Sequence, residues 1–186
     1  MVRRKIGRVG SAKNDKRIAQ KRERQLGKEL GGFATPNSGA VPGFPGDVHL
    51  DKWLLEDKHT SSSSYILGLI ELNKITREAT SIGDRRPMMM FKFFKGIKIG
   101  TPSEIALVPE MYLSNYSFSR LDSKEEISNK TKSITTKLIN EKYEEASSQN
   151  VILTHTLTFN KVAKGVATCW TLIPKYDLKE LGAFDD

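Results

Sequence analysis

The segment of residues 46–58 constrains the fold more than any other part of the chain. It reads Gly-Asp-Val-His-Leu, then Asp-Lys, then Trp-Leu-Leu-Glu-Asp-Lys. Two short apolar runs around a polar pair predict a β-hairpin with its turn at residues 51–52. Because side chains alternate along a strand, Glu56 and Lys58 share one face of the second strand. Asp47 begins the first strand, so the hairpin brings its carboxylate towards Glu56.

Two carboxylates and an ammonium group in one small region suit a hydrolase that uses a divalent metal. Converging carboxylate oxygens hold the ion, which lowers the pKa of bound water and neutralises charge that develops on phosphorus. The pattern is equally compatible with a solvated hairpin edge that carries a surface ion pair. The neighbouring residues favour a catalytic role over a surface ion pair. Asp47 follows Pro45-Gly46 and Glu56 follows two leucines, so both acids lie where an apolar strand emerges. Asp47, Glu56 and Lys58 are therefore the candidate catalytic residues.

Positive charge is concentrated at the N-terminus. The chain has a formal net charge of +8, and residues 1–28 hold eleven basic and two acidic residues, a local net charge of +9. A basic arm on a nearly neutral body is typical of a protein that binds a polyanion, most often nucleic acid. A solvated tail that only aids solubility has the same composition. The candidate substrate-binding residues of the arm are Arg3, Arg4, Lys5, Arg22 and Arg24.

Composition and patterning divide the chain into four parts. Residues 1–13 are expected to be a flexible basic tail, and residues 14–113 a core with an α/β fold. Residues 114–132 are polar and predict a linker. Residues 133–186 predict a helix–strand–strand extension that packs on the core. We therefore expect a mixed central sheet flanked by helices, with a possible second helix–strand–strand unit.

Three elements of the core are predicted from periodicity. A helix is expected over residues 14–30 and should end at the following two glycines. An amphipathic helix is predicted over residues 65–79, after a run of four serines. The apolar run of residues 88–93, which contains three methionines, predicts a central strand packed in the core. Residues 31–46 carry too many glycines and prolines for regular structure, and they predict a shaped loop.

The second half of the chain resembles part of the first. Residues 72–113 and residues 139–178 each show a helix, a strand, a second strand and then Leu-aliphatic-Pro. The two prolines, Pro109 and Pro174, are separated by 65 positions in the sequence. Duplication and chance similarity both account for this order. In either case the second unit shows no partner for the acidic hairpin, so a copy would have kept the scaffold without the chemistry.

The N-terminal third resembles a known family of nucleases. The residues that carry the resemblance are a helix with both acidic and basic residues that ends in Gly-Gly-Phe at position 33, a serine at position 38, then Gly46-Asp47 and Leu55-Glu56-Asp57-Lys58. This order is similar to that of the archaeal-type Holliday junction resolvases of the PD-(D/E)XK superfamily. The resemblance covers residues 20–60 and extends loosely to about residue 94.

The resemblance implies a restriction-endonuclease-like fold and a metal-dependent endonuclease that cuts branched DNA as a homodimer. It implies Mg²⁺, with Mn²⁺ able to substitute, held by Glu23, Asp47, Glu56 and the backbone carbonyl of Asp57. Lys58 would be the catalytic cation, and Ser38 would lie near the phosphate. The spacing from the helix acid to Phe33 is short for the family, so Glu29 is a rival for Glu23. Helical geometry favours Glu23, which lies about 40° from the direction of the helix's apolar residues, against about 80° for Glu29.

Other candidates carry weaker signals. His59 is next to Lys58 and could touch substrate, or could be a plain surface histidine; Arg85 and Arg86 could grip phosphate or decorate a loop. The single cysteine, Cys169, excludes an internal disulfide framework and a multi-cysteine zinc site. The chain shows no apolar run long enough to span a membrane and no secretory signal, so we expect no membrane partner. A cytoplasmic location in a prokaryotic or phage-infected cell is expected.

Two alternatives to junction cleavage stay open. One is a nuclease of the same superfamily that acts on flaps, DNA ends or duplex DNA. The other is a non-catalytic basic module that binds nucleic acid and carries a hairpin that only resembles the motif. The sequence does not decide among them, because junction specificity depends on the shape of the DNA-binding surface and on how protein subunits are arranged around it.

Overall fold

The computed structural model describes residues 9–36, 45–160, 162 and 166–184. The helices are α1 (Val9–Glu29), α2 (Leu69–Ser81), α3 (Glu110–Leu113), α4 (Thr136–Ser148) and α5 (Lys175–Glu180). The strands are β1 (Phe33–Ala34), β2 (Val48–His49), β3 (Trp53–Thr60), β4 (Ser64–Gly68), β5 (Arg86–Phe93), β6 (Glu104–Pro109), β7 (Ser123–Ile127), β8 (Thr131–Thr135), β9 (His155–Phe159) and β10 (Cys169–Pro174). Among the described helices, none is both long and apolar enough to cross a membrane.

Eight strands form one mixed sheet in the order β1-β2-β3-β5-β6-β10-β9-β7. β3 is parallel to β5 and β7 is parallel to β9, whereas the other neighbouring strands are antiparallel. β4 and β8 form a separate antiparallel pair. Helices pack on both faces of the main sheet. The prediction of an α/β protein with a mixed central sheet flanked by helices is confirmed.

Each face of the sheet is covered by its own apolar core. On the first face, Leu54, Met89 and Phe91 pack with residues of α2, α4 and the β4–β8 pair. On the second face, Leu55 and Met90 pack with residues of α1, α3 and α5. Because successive side chains of a strand point to opposite faces, β3 and β5 are buried from both sides over these residues. The methionines of β5 are core residues, as the sequence predicted.

The predicted hairpin is present, and β2 and β3 are the second and third strands from one end of the sheet. β2 pairs antiparallel with β3, with Val48 opposite Leu55. The amide of Leu50 donates to the carbonyl of Trp53 across the turn. β3 then pairs along its whole length with β5, which places the hairpin's acidic residues next to a strand buried on both faces.

The N-terminal helix is longer than predicted. α1 begins at Val9 rather than at residue 14, so residues 9–13 of the expected flexible tail are helical. Once a helix has formed, each further residue adds a hydrogen bond without a new nucleation cost, which favours extension into polar sequence. The predicted end is confirmed: α1 stops at Glu29, and Gly31 follows with a φ of 77°, a conformation that favours glycine.

The helix that was predicted from residue 65 begins later in the structure, at Leu69. Tyr65 and Ile66 lie in β4, opposite Ile134 and Ser133 of β8, and α2 starts only at Leu69. A short apolar run suits a strand or a helix equally, and here pairing with a distant strand decides between them.

The segment expected to be a linker, residues 114–132, contains part of the main sheet. β7 lies within it and forms the edge strand, parallel to β9, and β8 begins at its end. The exposed side chains Lys124 and Glu126 alternate along β7 with more buried ones. An edge strand that is largely charged looks like a linker in sequence, and its charges discourage pairing with other chains.

Candidate active site

Asp47 is held where β2 and β3 stop pairing as regular strands. Its amide donates to the carbonyl of Leu55, and its carbonyl accepts from the amide of Thr35. Its carboxylate oxygen Oδ2 accepts from the amide of Asp57 at 2.8 Å. The carboxylate thus takes the place of a backbone acceptor beside β3. Gly46, with a φ of 72°, provides the turn that precedes it.

Glu56 and Lys58 lie together on one face of β3, as alternation predicted. Lys58 Nζ is 2.7 Å from Glu56 Oε1, and only 13% of the Glu56 side chain is exposed. A second ammonium group approaches from α2, where Lys74 Nζ lies 3.6 Å from the same oxygen. Two cations therefore converge on one half-buried carboxylate.

The electrostatics show that the carboxylates crowd one another. Burial, together with the negative charges of Glu56 and Glu23, raises the pKa of Asp47 from 3.8 to about 7, against the opposing effects of the Asp57 amide and the Lys58 charge. Burial alone would lower the pKa of Lys58, but its hydrogen bond to Glu56 and the charges of Glu56 and Asp47 raise it above its usual value. A further cation near Asp47 would relieve the repulsion and favour the ionised carboxylate.

The structure separates the two candidates for the helix acid. Glu23 is 7% exposed, and its charge raises the pKa of Asp47. The carboxylate of Glu29 instead bonds to Lys175 of α5 at 2.8 Å. Glu23 faces the candidate site and Glu29 faces α5, which agrees with the helical geometry that favoured Glu23.

The donor atoms fit a hard divalent cation. Glu23, Asp47 and Glu56 offer only carboxylate oxygens, the ligands that Mg²⁺ prefers. In this arrangement of the described residues, no group of three His, Cys, Asp or Glu side chains is close enough together to hold an ion. Glu56 bonds to Lys58 instead. An ion at Asp47 would therefore compete with Lys58 for Glu56.

The side chain of Asp57 belongs to a different charge system on the opposite face of β3. Its two oxygens bond to Arg22 Nε at 2.5 Å and Nη2 at 2.8 Å, and the Asp57 side chain is 2% exposed. Arg22 also reaches Glu104, which contacts Lys92 and Lys175. Burial would raise the pKa of Glu104, but hydrogen bonds from these lysines lower it to about 2. The structure therefore places the Arg22 side chain between α1 and the sheet and not on an exposed binding surface.

The remaining predicted substrate-binding residues lie in different parts of the structure and make different contacts. Arg24 is exposed on α1, and His59 is exposed with its ring edge-on to Phe94 at 6.3 Å. Arg85 Nη1 is 3.0 Å from His49 Nδ1. Arg86 lies over the rings of Trp53 and Tyr112. Arg3, Arg4, Lys5 and Ser38 lie outside the described residues.

Two residues of α2 were missed by sequence reasoning. Lys74 bridges Glu56 and Glu78, with its Nζ 3.8 Å from Glu78 Oε1. Glu78 accepts a hydrogen bond from the amide of Gly46, and burial is the main cause that raises its pKa. The spacing of Lys74 and Glu78, i and i+4, signals a pair on one helical face. The sequence does not show that this face meets the hairpin, because that contact depends on how α2 packs.

Comparison with known proteins adds no relative: no protein-family model, curated protein or solved structure matches this chain.

Arg22 and Arg24 provide a test of the two charge systems. We expect Arg22→Ala to lower the free energy of unfolding by about 3 kcal/mol, because it leaves the carboxylate of Asp57 buried without its partner. Arg24→Ala is the matched control, since Arg24 is exposed on the same helix, and it should change stability by less than about 0.5 kcal/mol. Urea denaturation of both variants measures the difference. Equal effects would contradict a scaffold role for Arg22.

Asp47→Asn tests the crowding of the carboxylates. The folded-state pKa of Asp47, about 7, is above the ordinary value of 3.8, so ionisation of Asp47 costs stability as the pH rises between these values. Without divalent metal at pH 8, we expect Asp47→Asn to unfold with a free energy higher than wild type by about 1–3 kcal/mol. The difference should vanish near pH 4. Urea denaturation in EDTA at both values checks it, and a variant less stable than wild type at pH 8 would contradict the electrostatic account.

Proposed function

We propose that this chain is a metal-dependent endonuclease with a restriction-endonuclease-like core that cleaves phosphodiester bonds in branched DNA. The observation that carries the proposal is the convergence of Asp47, Glu56 and Lys58 beside β3, where burial and the neighbouring carboxylates raise the pKa of Asp47. Perturbed pKa values such as that of Asp47 cluster at functional sites. The resemblance to the Holliday junction resolvases supports the choice of branched DNA.

The residues of the site suggest distinct roles. Glu23, Asp47, Glu56 and the backbone carbonyl of Asp57 would hold Mg²⁺, and Mn²⁺ would substitute for it. The ion, when bound, supplies a Lewis acid for the phosphodiester and lowers the pKa of bound water. Lys58, whose pKa is raised, keeps its proton at neutral pH and can stabilise negative charge on the scissile phosphate. Lys74 of α2 provides a second ammonium group near the same oxygen of Glu56.

The helix α1 fits a DNA backbone beside this site. Its acid Glu23 is buried towards Asp47, while its outward side chains are cationic. A cleft of about 100 Å³ between α1 and the chain after β1 is lined by Gln20, Glu23, Arg24 and Thr35. A phosphate backbone that follows the outer face of α1 would contact these cations, of which Arg24 also lines the cleft beside Glu23. The exposed cations of this face are Lys16, Arg17, Lys21, Arg24 and Lys28.

A second candidate function is a non-catalytic module that binds nucleic acid. The observation that favours it is the pairing of Glu56 with both Lys58 and Lys74, which balances the charge of that carboxylate without a metal. The basic face of α1 would serve either function. If the chain is a nuclease, we propose that it acts on DNA in the cytoplasm of a prokaryotic or phage-infected cell.

The test compares cleavage of a four-way junction, a flap and a plain duplex of equal length, with Mg²⁺ or Mn²⁺. Wild type should cut the junction fastest. Asp47→Asn should lower the rate by about 100-fold or more, because an ion that loses a ligand loses several kcal/mol of transition-state stabilisation. Asp51→Asn is the matched control, since Asp51 is an exposed acid in the turn of the same hairpin.

The outcomes separate the candidates. Binding without cleavage of any DNA by wild type would support the non-catalytic module. Cleavage by Asp47→Asn at the wild-type rate would show that the chemistry lies elsewhere. Cutting of the flap or the duplex in preference to the junction would keep the nuclease and change its substrate.

A further inference from the structure

The main sheet has the same arrangement on both sides of its centre. From the centre outwards, one side runs β6-β5-β3 and the other runs β10-β9-β7. In both, the inner pair is antiparallel and the outer pair is parallel. The chain also visits the elements in the same order: β3-β4-α2-β5-β6-α3, then β7-β8-α4-β9-β10-α5. The segment that the sequence indicated as a linker contains the first strands of the second unit.

The register of the strands places a two-fold axis between the units. In the β6–β10 pair, Leu107 lies opposite Leu172. The pairs on either side of it exchange under a two-fold rotation, because Pro109 pairs with Trp170 as Ile105 pairs with Pro174. The axis thus relates Pro109 to Pro174, the two prolines that end the corresponding strands.

The β4–β8 pair shows a two-fold relation of the same kind. In the β4–β8 pair, Ile66 lies opposite Ser133. On either side, Leu67 pairs with Lys132 as Ile134 pairs with Tyr65. Leu67 and Ile134 are also equivalent by position, since each is the second-last residue before α2 or α4, and both helices have 13 residues. Any antiparallel pair has a local two-fold relation, but here the equivalent positions of the two units also fall at equal distances from the central residue pair in both strand pairs, as expected of a duplicated unit.

The contact between the units has the form of an isologous dimer interface, in which one surface meets its own copy. It consists of a continuous antiparallel strand pair, and both axial leucines are at most 2% exposed. Side chains cross it as well: Lys175 contacts Glu104, and Thr171 donates to Glu110. A single chain therefore encloses an interface that a homodimer would form between two subunits.

The second unit does not repeat the chemistry of the first. By the register of the strands, Ser123 of β7 occupies the position that Glu56 occupies in β3, because Ser123 lies opposite His155 as Glu56 lies opposite Met89. Two residues further along, Glu125 occupies the position of Lys58. Ser123 Oγ is 2.8 Å from His155 Nδ1. Glu125 forms an ion pair with Lys132, so its charge is balanced within the second unit.

The acidic hairpin also has no counterpart in the second unit. Among the described residues, no strand lies outside β7, whereas β2 and β1 lie outside β3. Asp47 is supplied from just before β2, so its position has no equivalent beside β7. Within the described residues, the two-fold body thus contains one set of candidate catalytic residues and not two.

We infer that one chain replaces a nuclease dimer with a pseudo-dimer that has a single cutting centre, so that it acts as a monomer and nicks one strand of each bound DNA. The inference rests on the proposed function. In each event, water adds to phosphorus and one phosphorus–oxygen bond to a sugar breaks. The proton from water goes to the departing oxygen, and the ends are one phosphate and one hydroxyl. The homodimer that the resemblance implies is replaced here by the second half of the chain.

The test has two readouts on the full chain. Sedimentation at micromolar concentration gives the mass of the protein alone and with a four-way junction, and we expect one chain in each case. Cleavage of a supercoiled plasmid with an extruded cruciform should yield nicked circles before any linear DNA. Two chains on one junction, or linear DNA as the first product, would overturn the inference. If no DNA is cut, the proposed function fails, while the masses still decide whether one chain acts alone.

Mixing and second-unit variants complete the test. With DNA in excess over protein, adding Asp47→Asn protein to wild type should leave the ratio of nicked to linear product unchanged, whereas mixed dimers would raise the nicked fraction. Ser123→Ala and Glu125→Gln should each keep the cleavage rate within about twofold, a change of less than 1 kcal/mol. Loss of cutting on one particular strand in either variant would overturn the inference, because it would assign chemistry to the second unit.

Discussion

The hydrogen bond from the amide of Asp57 to the carboxylate of Asp47 is the interaction on which the candidate site depends. β2 pairs with β3 for only two residues, and beyond it the side chain of Asp47 accepts the bond that a neighbouring strand would accept. This arrangement fixes the carboxylate beside β3 and takes it partly out of water. Burial next to Glu56 and Glu23 then raises its pKa to about 7. A site built in this way is stabilised by a bound cation.

Alternation along β3 lets one strand serve two purposes. On one face, Glu56 and Lys58 lie half-buried near α2, where a substrate or an ion can reach them. On the other face, Asp57 closes a buried ion pair with Arg22, which ties α1 to the sheet. The position of Glu23 follows from this bond, because Arg22 is its neighbour on α1. A structural ion pair thus holds a candidate ligand in place.

The elements that local sequence determines were the ones predicted well. The hairpin, the shared face of Glu56 and Lys58, and the buried strand β5 all follow from alternation and apolar runs within about ten residues. The direction of Glu23 follows from helical periodicity. The fold class follows from the order of these elements, since a buried strand between two amphipathic helices requires layers on both faces of a sheet.

The features that depend on distant contacts could not be predicted. Residues 65–68 form β4 only because they pair with β8, which is far along the chain. β7 is a strand although its charged sequence suits a linker, because β9 accepts it at the sheet edge. Arg22 was expected to bind substrate, since a sequence does not reveal that Asp57 lies beneath it. The two-fold relation between the halves became visible only in the register of the strand pairs.

The most direct measurement is the titration of the Asp47 carboxyl carbon by NMR, with and without Mg²⁺. Asp51, exposed in the same hairpin, serves as the internal reference. In EDTA, the account predicts a midpoint near pH 7 for Asp47, and Mg²⁺ should move that midpoint down by at least about one pH unit as the ion favours the ionised form. A midpoint near the ordinary value of 3.8 that Mg²⁺ does not move would contradict the account.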